Sequence, residues 1–132
     1  MEHVLIDTNV LSYIFKNDTR SSSYLPYLSS DKLLAVSFQT VAELYLWAEK
    51  QSWSNPKINE LQNLLQKFII VLYDNKLAHI WAGIVATRER IGTPISCADA
   101  WVASCALRHS ATLITHNRKD FENIPKLKVI SH

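Results

Sequence analysis

Short apolar runs that end abruptly at a polar residue are the feature that most limits how this chain can fold. Residues 4–6 (Val-Leu-Ile) stop at Asp7, and residues 33–36 (Leu-Leu-Ala-Val) form a second run of this kind. Runs that are apolar at every position are typical of parallel strands covered by helices on both faces. Further strands are predicted at residues 68–73, 111–114 and 128–130.

The segments between these runs carry apolar residues at helical spacing. Residues 7–9 (Asp-Thr-Asn) are typical of a helix start, and apolar residues recur with the helical period up to residue 15. A short helix is expected within residues 24–30, and longer helices are predicted at residues 39–51, 56–67, 75–91 and 96–109. Strands that alternate with helices predict an α/β domain with a mostly parallel sheet.

The size and composition of the chain favour one domain over residues 1–132. Nearly half of the residues are hydrophobic, while two glycines and four prolines leave little material for linkers. Cys97 and Cys105 are too few and too widely spaced for a disulfide framework or a zinc site. The apolar run before Asp7 is only three residues long, and no apolar run is long enough to span a membrane, so we expect a cytoplasmic protein without a membrane partner.

Acidic residues are predicted to meet at one edge of the sheet. Asp7 directly follows the first strand, and Glu43 is expected in the first turn of the helix after the second strand. Asp99 is expected in the first turn of the helix that leads into the strand at 111–114, so it belongs at the same edge. The polar loop after that strand, residues 115–120, arrives there as well and brings Asp120 as a possible fourth acid.

Each of these acids also has a purely structural explanation. The spacings Thr40–Glu43 and Ser96–Asp99 fit capping boxes, and Asp7 fits a helix cap. For each acid taken alone, a capping role and a functional role explain the sequence about equally well. Together, carboxylates crowded among apolar neighbours lose hydration and repel, so they favour bound Mg²⁺, with Mn²⁺ as an alternative. Cations held in this way can bind a phosphodiester and activate a water for in-line attack.

Four segments in order resemble the PIN-domain ribonucleases, and within them the VapC-like toxins of toxin–antitoxin systems. The resemblance covers nearly the whole chain. It rests on residues 4–9 (VLIDTN), 40–44 (TVAEL), 92–103 (GTPISCADAWVA) and 113–121 (LITHNRKDF). It implies a three-layer α/β/α domain that is a Mg²⁺-dependent endoribonuclease, with an RNA substrate, a cognate antitoxin that covers the acidic site, and a homodimeric assembly.

The resemblance also implies roles for individual residues. Asp7, Glu43 and Asp99 match the acidic site residues, with Asp7 and Asp99 as the most direct metal ligands. Many relatives carry an acid where Asn117 stands, so the fourth carboxylate is either absent or supplied by Asp120. Asn117 can still coordinate a metal or position a water through its amide.

Supporting roles fall to the polar residues beside the acids. Thr8, Asn9 and Thr115 would hydrogen-bond to site carboxylates or water, although plain capping is an equal explanation for the two threonines. Arg118 and Lys119 are expected to contact the RNA backbone, because they lie in the loop that reaches the acidic edge.

Aromatic residues and two rival functions complete the expectations. Trp47, Trp81 and Trp101 sit at helical spacing with aliphatic neighbours, which favours core packing over base stacking.

One rival function is a catalytically silent PIN-like module that binds RNA or protein, suggested by Asn117. The other is a Mg²⁺-binding phospho-acceptor domain, for which Asp74 would end the third strand.

Overall fold

The computed structural model describes residues 1–132. The chain folds into a five-stranded sheet with helices on both faces. The strands are β1 (Glu2–Ile6), β2 (Lys32–Ser37), β3 (Ile69–Val71), β4 (Thr112–Ile114) and β5 (Val129–Ile130). The α-helices are α1 (Thr8–Phe15), α2 (Phe38–Lys50), α3 (Asn55–Leu65), α4 (Asn75–Arg90) and α5 (Cys97–Arg108). Three 3₁₀ turns lie at Thr19–Ser23, Leu25–Leu28 and Arg118–Phe121.

The sheet has the strand order β3-β2-β1-β4-β5, and every neighbouring pair is parallel. β1 lies in the centre, where Leu5 pairs with Ala35 on one side and with Leu113 on the other. The predicted α/β/α architecture is therefore confirmed, with a sheet that is parallel throughout. Because all five strands run the same way, their carboxyl ends share one edge, which we call the carboxyl edge.

Alternate residues of the strands build two separate cores. Leu5 and Leu113 point to the face covered by α4 and α5, where they pack in one buried cluster with Leu77. Val4 and Ile114 belong to the opposite cluster, which α1, α2 and α3 cover. Both faces are buried, which explains why the strands are apolar at every position rather than at every second one.

The helix starts follow local signals, with one shift that matters for the site. Asp74 caps α4, and Ser54 caps α3 with Pro56 in its first turn. α2 begins at Phe38 and is capped by Ser37, which accepts a hydrogen bond from the Thr40 amide at 3.0 Å. The start predicted at about residue 39 agrees within one residue with the observed start, but the cap is Ser37 rather than Thr40.

β3 is shorter than the predicted strand at residues 68–73. Leu72 and Tyr73 have already left the sheet and are 69% and 62% exposed. The polar residues Thr19–Ser23 form the first 3₁₀ turn. No helix combines the length and the apolar character that crossing a bilayer requires.

Candidate active site

Asp7 lies at the centre of the carboxyl edge, directly after β1. It caps α1 by accepting a hydrogen bond from the Thr8 amide at 2.8 Å, and its second oxygen accepts one from the Thr115 hydroxyl at 2.7 Å. Only 6% of Asp7 is exposed. Burial raises the pKa of this carboxyl, while the two hydrogen bonds lower it and the charges of Glu43 and Asp120 raise it again.

Two threonines and a serine form a buried hydroxyl chain behind Asp7. The Thr8 and Thr40 hydroxyls are 2.9 Å apart, and the Ser37 hydroxyl donates to that of Thr40 at 3.2 Å. This chain joins the start of α1 to the start of α2. It fixes the two helices that carry Asp7 and Glu43 relative to each other.

Glu43 lies in the second turn of α2, half-buried, and accepts a hydrogen bond from the Gln39 amide group at 3.2 Å. The predicted placement in the first turn and the capping box with Thr40 were wrong, because Ser37 is the cap. Burial raises the pKa of Glu43, Gln39 lowers it, and the nearby charge of Asp99 raises it. Glu43 therefore has no capping role, and the charge of Asp99 acts on its carboxyl.

Asp99 is half-buried in the first turn of α5, where its amide donates to the Ser96 hydroxyl at 3.1 Å. Burial raises the pKa of Asp99 to about 6; a side-chain hydrogen bond from Ser96 to the carboxyl opposes this shift, and the charges of Asp7 and Asp120 add to it. Electrostatic repulsion therefore acts between Asp99 and each of three other acids, Asp7, Glu43 and Asp120. Four acids from four segments therefore share one electrostatic environment at the carboxyl edge.

The loop after β4 contributes the more exposed residues. Asp120 is exposed on the 3₁₀ turn Arg118–Phe121. Asn117 precedes that turn, and its backbone amide donates a hydrogen bond to the Thr115 hydroxyl at 3.1 Å. Arg118 and Lys119 are exposed on the same turn. Asn9 is half-buried in the first turn of α1.

Comparison with known proteins settles the family. The PIN domain model matches residues 4–127. The chain belongs to the PIN-domain family. This PIN domain is 36% identical over 130 residues to Ribonuclease VapC1 of Haemophilus influenzae, covering 94% of this chain and 93% of that protein.

Solved structures agree with the sequence comparison. The fold matches VapBC2 from Rickettsia felis, solved on a DNA fragment from its promoter, with a TM-score of 0.87, 25% identity and 98% of each chain covered. It also matches a toxin–antitoxin complex from Klebsiella pneumoniae with a TM-score of 0.76, 26% identity, and 97% of this chain and 96% of that chain covered. The resemblance to VapC-like PIN domains is confirmed.

The donor chemistry of the PIN-domain site fits a hard divalent cation, although the acids do not form a closed cage. No three His, Cys, Asp or Glu side chains lie together closely enough to hold a metal ion by themselves. Asp7 is held by Thr8 and Thr115, and Glu43 is held by Gln39. An open, all-carboxylate site suits Mg²⁺, which keeps several waters and typically binds one or two carboxylates together with substrate phosphate.

Sequence reasoning missed Arg88, a buried cation beside the site. Arg88 is 6% exposed on α4 and donates to the backbone carbonyls of Thr93, Asp120 and Glu122 at 2.6, 3.2 and 3.0 Å. These hydrogen bonds connect the loop before α5 to the 3₁₀ turn Arg118–Phe121. The positive charge of Arg88 also lowers the pKa of Asp99. The available signal was a charged residue on the apolar stripe of α4, four residues after buried Ile84.

Proposed function

We propose that this PIN domain is a Mg²⁺-dependent endoribonuclease that hydrolyses RNA phosphodiesters, with Mn²⁺ as a possible substitute. The observation that carries the proposal is that Asp7 is buried, Glu43 and Asp99 are half-buried, and none of these three acids from separate elements forms an ion pair. Burial without a compensating cation is unfavourable for a carboxylate, and bound metal removes that penalty. The name of the similar H. influenzae protein, Ribonuclease VapC1, supports the same reaction class.

Asp7 and Asp99 would hold the cation, with Glu43 and Asp120 beside them. When bound, Mg²⁺ supplies charge stabilisation to the phosphodiester and lowers the pKa of a water. Thr115 and the Thr8 amide fix the two oxygens of Asp7 in one orientation. Their hydrogen bonds also favour the ionised carboxylate, which is the form that binds metal.

RNA would approach over the 3₁₀ turn that carries Arg118 and Lys119. Both side chains are exposed, and the turn is anchored from below by Arg88. Contacts of this kind are to phosphate and are independent of sequence, so we expect cleavage to weaken with added salt. Asn9 and Asn117 would position water or substrate through their amides.

The biological role we propose is that of the toxin in a toxin–antitoxin pair that acts in the cytoplasm. Its support is the fold match to VapBC2 and to the K. pneumoniae toxin–antitoxin complex. A cognate antitoxin would restrain the enzyme by covering the carboxyl edge. Homodimerisation stays a prediction, which light scattering on the purified chain measures.

The test is cleavage of unfractionated bacterial RNA by the purified protein. We expect endonucleolytic products with Mg²⁺, no products with EDTA, and recovery when Mg²⁺ is added in excess. Sequencing of the new RNA ends then identifies the target. If folded protein cleaves nothing with Mg²⁺ or Mn²⁺, the nuclease proposal is refuted and the silent binding module takes its place.

The phospho-acceptor alternative has little support at its required residue. The Asp74 carboxylate pairs with the Arg108 guanidinium at 2.8 Å and caps α4, so both of its oxygens are engaged. Incubation with acetyl phosphate is expected to leave the protein unmodified, as measured by intact mass.

A further inference from the structure

We propose that Tyr24 is a positioning residue of the nuclease site, which acts through the turn at residues 115–117. Its buried hydroxyl holds the backbone of this turn, so that the Thr115 hydroxyl stays directed at Asp7. This inference rests on the proposed nuclease function and adds a residue, separate from the acids, that keeps one of them in its orientation.

The Tyr24 hydroxyl contacts two distant segments of the chain. It lies 2.7 Å from Nδ1 of His116, and either atom can donate the proton, so the bond exists in both neutral tautomers of the imidazole. The hydroxyl oxygen accepts a hydrogen bond from the His132 amide at 3.1 Å. The carbonyl oxygens of His132 and Thr115 lie 3.0 and 3.4 Å from it. Two of the three partners, Thr115 and His116, are consecutive residues at the start of the turn.

Core packing explains the ring of Tyr24 but not its hydroxyl. The residue is buried between the 3₁₀ turns Thr19–Ser23 and Leu25–Leu28, and its ring belongs to the cluster that α1, α2 and α3 cover. A phenylalanine would fill that space equally well. A buried hydroxyl is unfavourable unless it is hydrogen-bonded, so the contribution of this one depends on the segments that it binds.

Thr115 transmits the position of the turn to Asp7. This threonine is fully buried, and its hydroxyl donates to the Asp7 carboxylate at 2.7 Å while accepting a hydrogen bond from the Asn117 backbone amide at 3.1 Å. Its own amide donates to the Ile130 carbonyl at 3.0 Å. Because Tyr24 contacts the Thr115 carbonyl, the residue that orients Asp7 is held at both its amide and its carbonyl.

The ring of His116 adds packing to the same turn. It meets the ring of Tyr24 edge-on, with centroids 5.9 Å apart, and that of Tyr13 on α1, with centroids 5.3 Å apart. Since Asp7 caps α1, His116 connects the helix that begins at Asp7 with the turn that orients Asp7. A displacement of this turn changes the direction of the Thr115 hydroxyl, and small misplacements of site groups lower reaction rates strongly.

The test compares Tyr24→Phe with the matched control Tyr27→Phe. Each variant keeps its ring and loses one hydroxyl, but the Tyr27 hydroxyl hydrogen-bonds to His132 alone, at 2.8 Å from its Nε2. Steady-state cleavage of bacterial RNA with Mg²⁺ is measured well below the Tm of every variant, and includes Thr115→Val and the double variant Tyr24→Phe/Thr115→Val. Hydrogen–deuterium exchange of residues 115–121 reports the turn itself, independently of cleavage.

We expect Tyr24→Phe to lower kcat by about three- to fivefold and to leave KM within about twofold of the wild type. In the Thr115→Val background the same substitution should lower kcat by less than about twofold, since the hydroxyl through which it acts is already gone. Exchange in residues 115–121 should be at least about threefold faster in Tyr24→Phe. Tyr27→Phe should match the wild type in both measurements.

Losses of kcat that multiply in the double variant, or equal losses in Tyr24→Phe and Tyr27→Phe, would indicate a general effect on the fold and overturn the proposal. A wild-type rate in Tyr24→Phe, or wild-type exchange in residues 115–121, overturns it too. A folded wild-type protein that cleaves no RNA refutes the nuclease proposal instead, and the exchange measurement then still decides whether Tyr24 holds the turn.

Discussion

Asp7 and Asp74 occupy equivalent local positions with opposite electrostatics. Each follows a strand and caps the next helix, Asp7 between β1 and α1 and Asp74 between β3 and α4. The Arg108 guanidinium holds the pKa of Asp74 below its usual value, whereas burial raises the pKa of Asp7. None of the three ion pairs of the protein involves Asp7.

The difference separates a structural aspartate from one suited to metal. A cap that is already neutralised by an arginine gains little from a cation. A buried cap among other acids gains a great deal, because the cation removes both desolvation and repulsion. Both aspartates follow a strand and cap a helix, so their local sequence does not distinguish them. The charges around each carboxylate decide whether it serves as a structural cap or as a candidate metal ligand.

The largest expected effect is on catalysis by Asp7→Asn. Asparagine keeps the helix cap but loses the charge, so we expect RNA cleavage to fall by at least about a hundredfold. The matched variant Asp74→Asn should change the cleavage rate less than about twofold. Initial rates on bacterial RNA measure both, and comparable losses in the two variants would contradict the distinction.

A smaller loss is expected when the support of Asp7 is removed. Thr115→Val takes away the hydroxyl that donates to Asp7 at 2.7 Å, and we expect kcat to fall by about tenfold. Thr115→Ser retains the hydroxyl and should restore most of the rate. If Thr115→Val cleaves like the wild type, the orientation of Asp7 by Thr115 has no catalytic importance.

The pH profile should report Asp99. Because the pKa of Asp99 is raised to about 6, its carboxylate is protonated at lower pH and cannot hold a cation. At limiting Mg²⁺ we expect the cleavage rate to fall about tenfold per pH unit below that value. Since metal and proton compete, more Mg²⁺ should move the midpoint to lower pH. A profile that is flat between pH 5 and 7 would count against this role.

The smallest effects are expected in thermal stability without metal. Folding raises the pKa of Asp99, so the ionised Asp99 carboxylate destabilises the folded protein. This destabilisation is absent below the pKa of the unfolded state, about 3.9, and complete above about pH 6. Asp99→Asn should therefore raise the Tm at pH 7.5 by roughly 2–5 °C and leave it nearly unchanged at pH 4.

Asp74→Asn gives the contrasting result in the same assay. The pKa of Asp74 is lowered, so its ionised form stabilises the fold, and this stability is present above the unfolded pKa. We expect a slightly lower Tm at pH 7.5. Calorimetric scans in EDTA measure both variants, and a shift of the same sign would contradict the comparison.

The sequence predicted the layers of the fold because strand burial and helix spacing are local patterns. Asp7, with its abrupt position after an apolar run, could be placed at the carboxyl edge for the same reason. Glu43 was placed one turn too early, because Thr40 also fits the sequence pattern of a cap, whereas the structure shows Ser37 in that role. Arg88 was missed because its partners are backbone carbonyls from distant loops, which no side-chain pattern records.

Whether the acids of the carboxyl edge bind a divalent cation is measured by calorimetric titration of Mn²⁺ into the wild type, Asp7→Asn and Asp74→Asn. We predict saturable binding in the wild type and in Asp74→Asn, and its loss in Asp7→Asn. Equal binding in all three, or none in the folded wild type, would contradict a metal site built around Asp7.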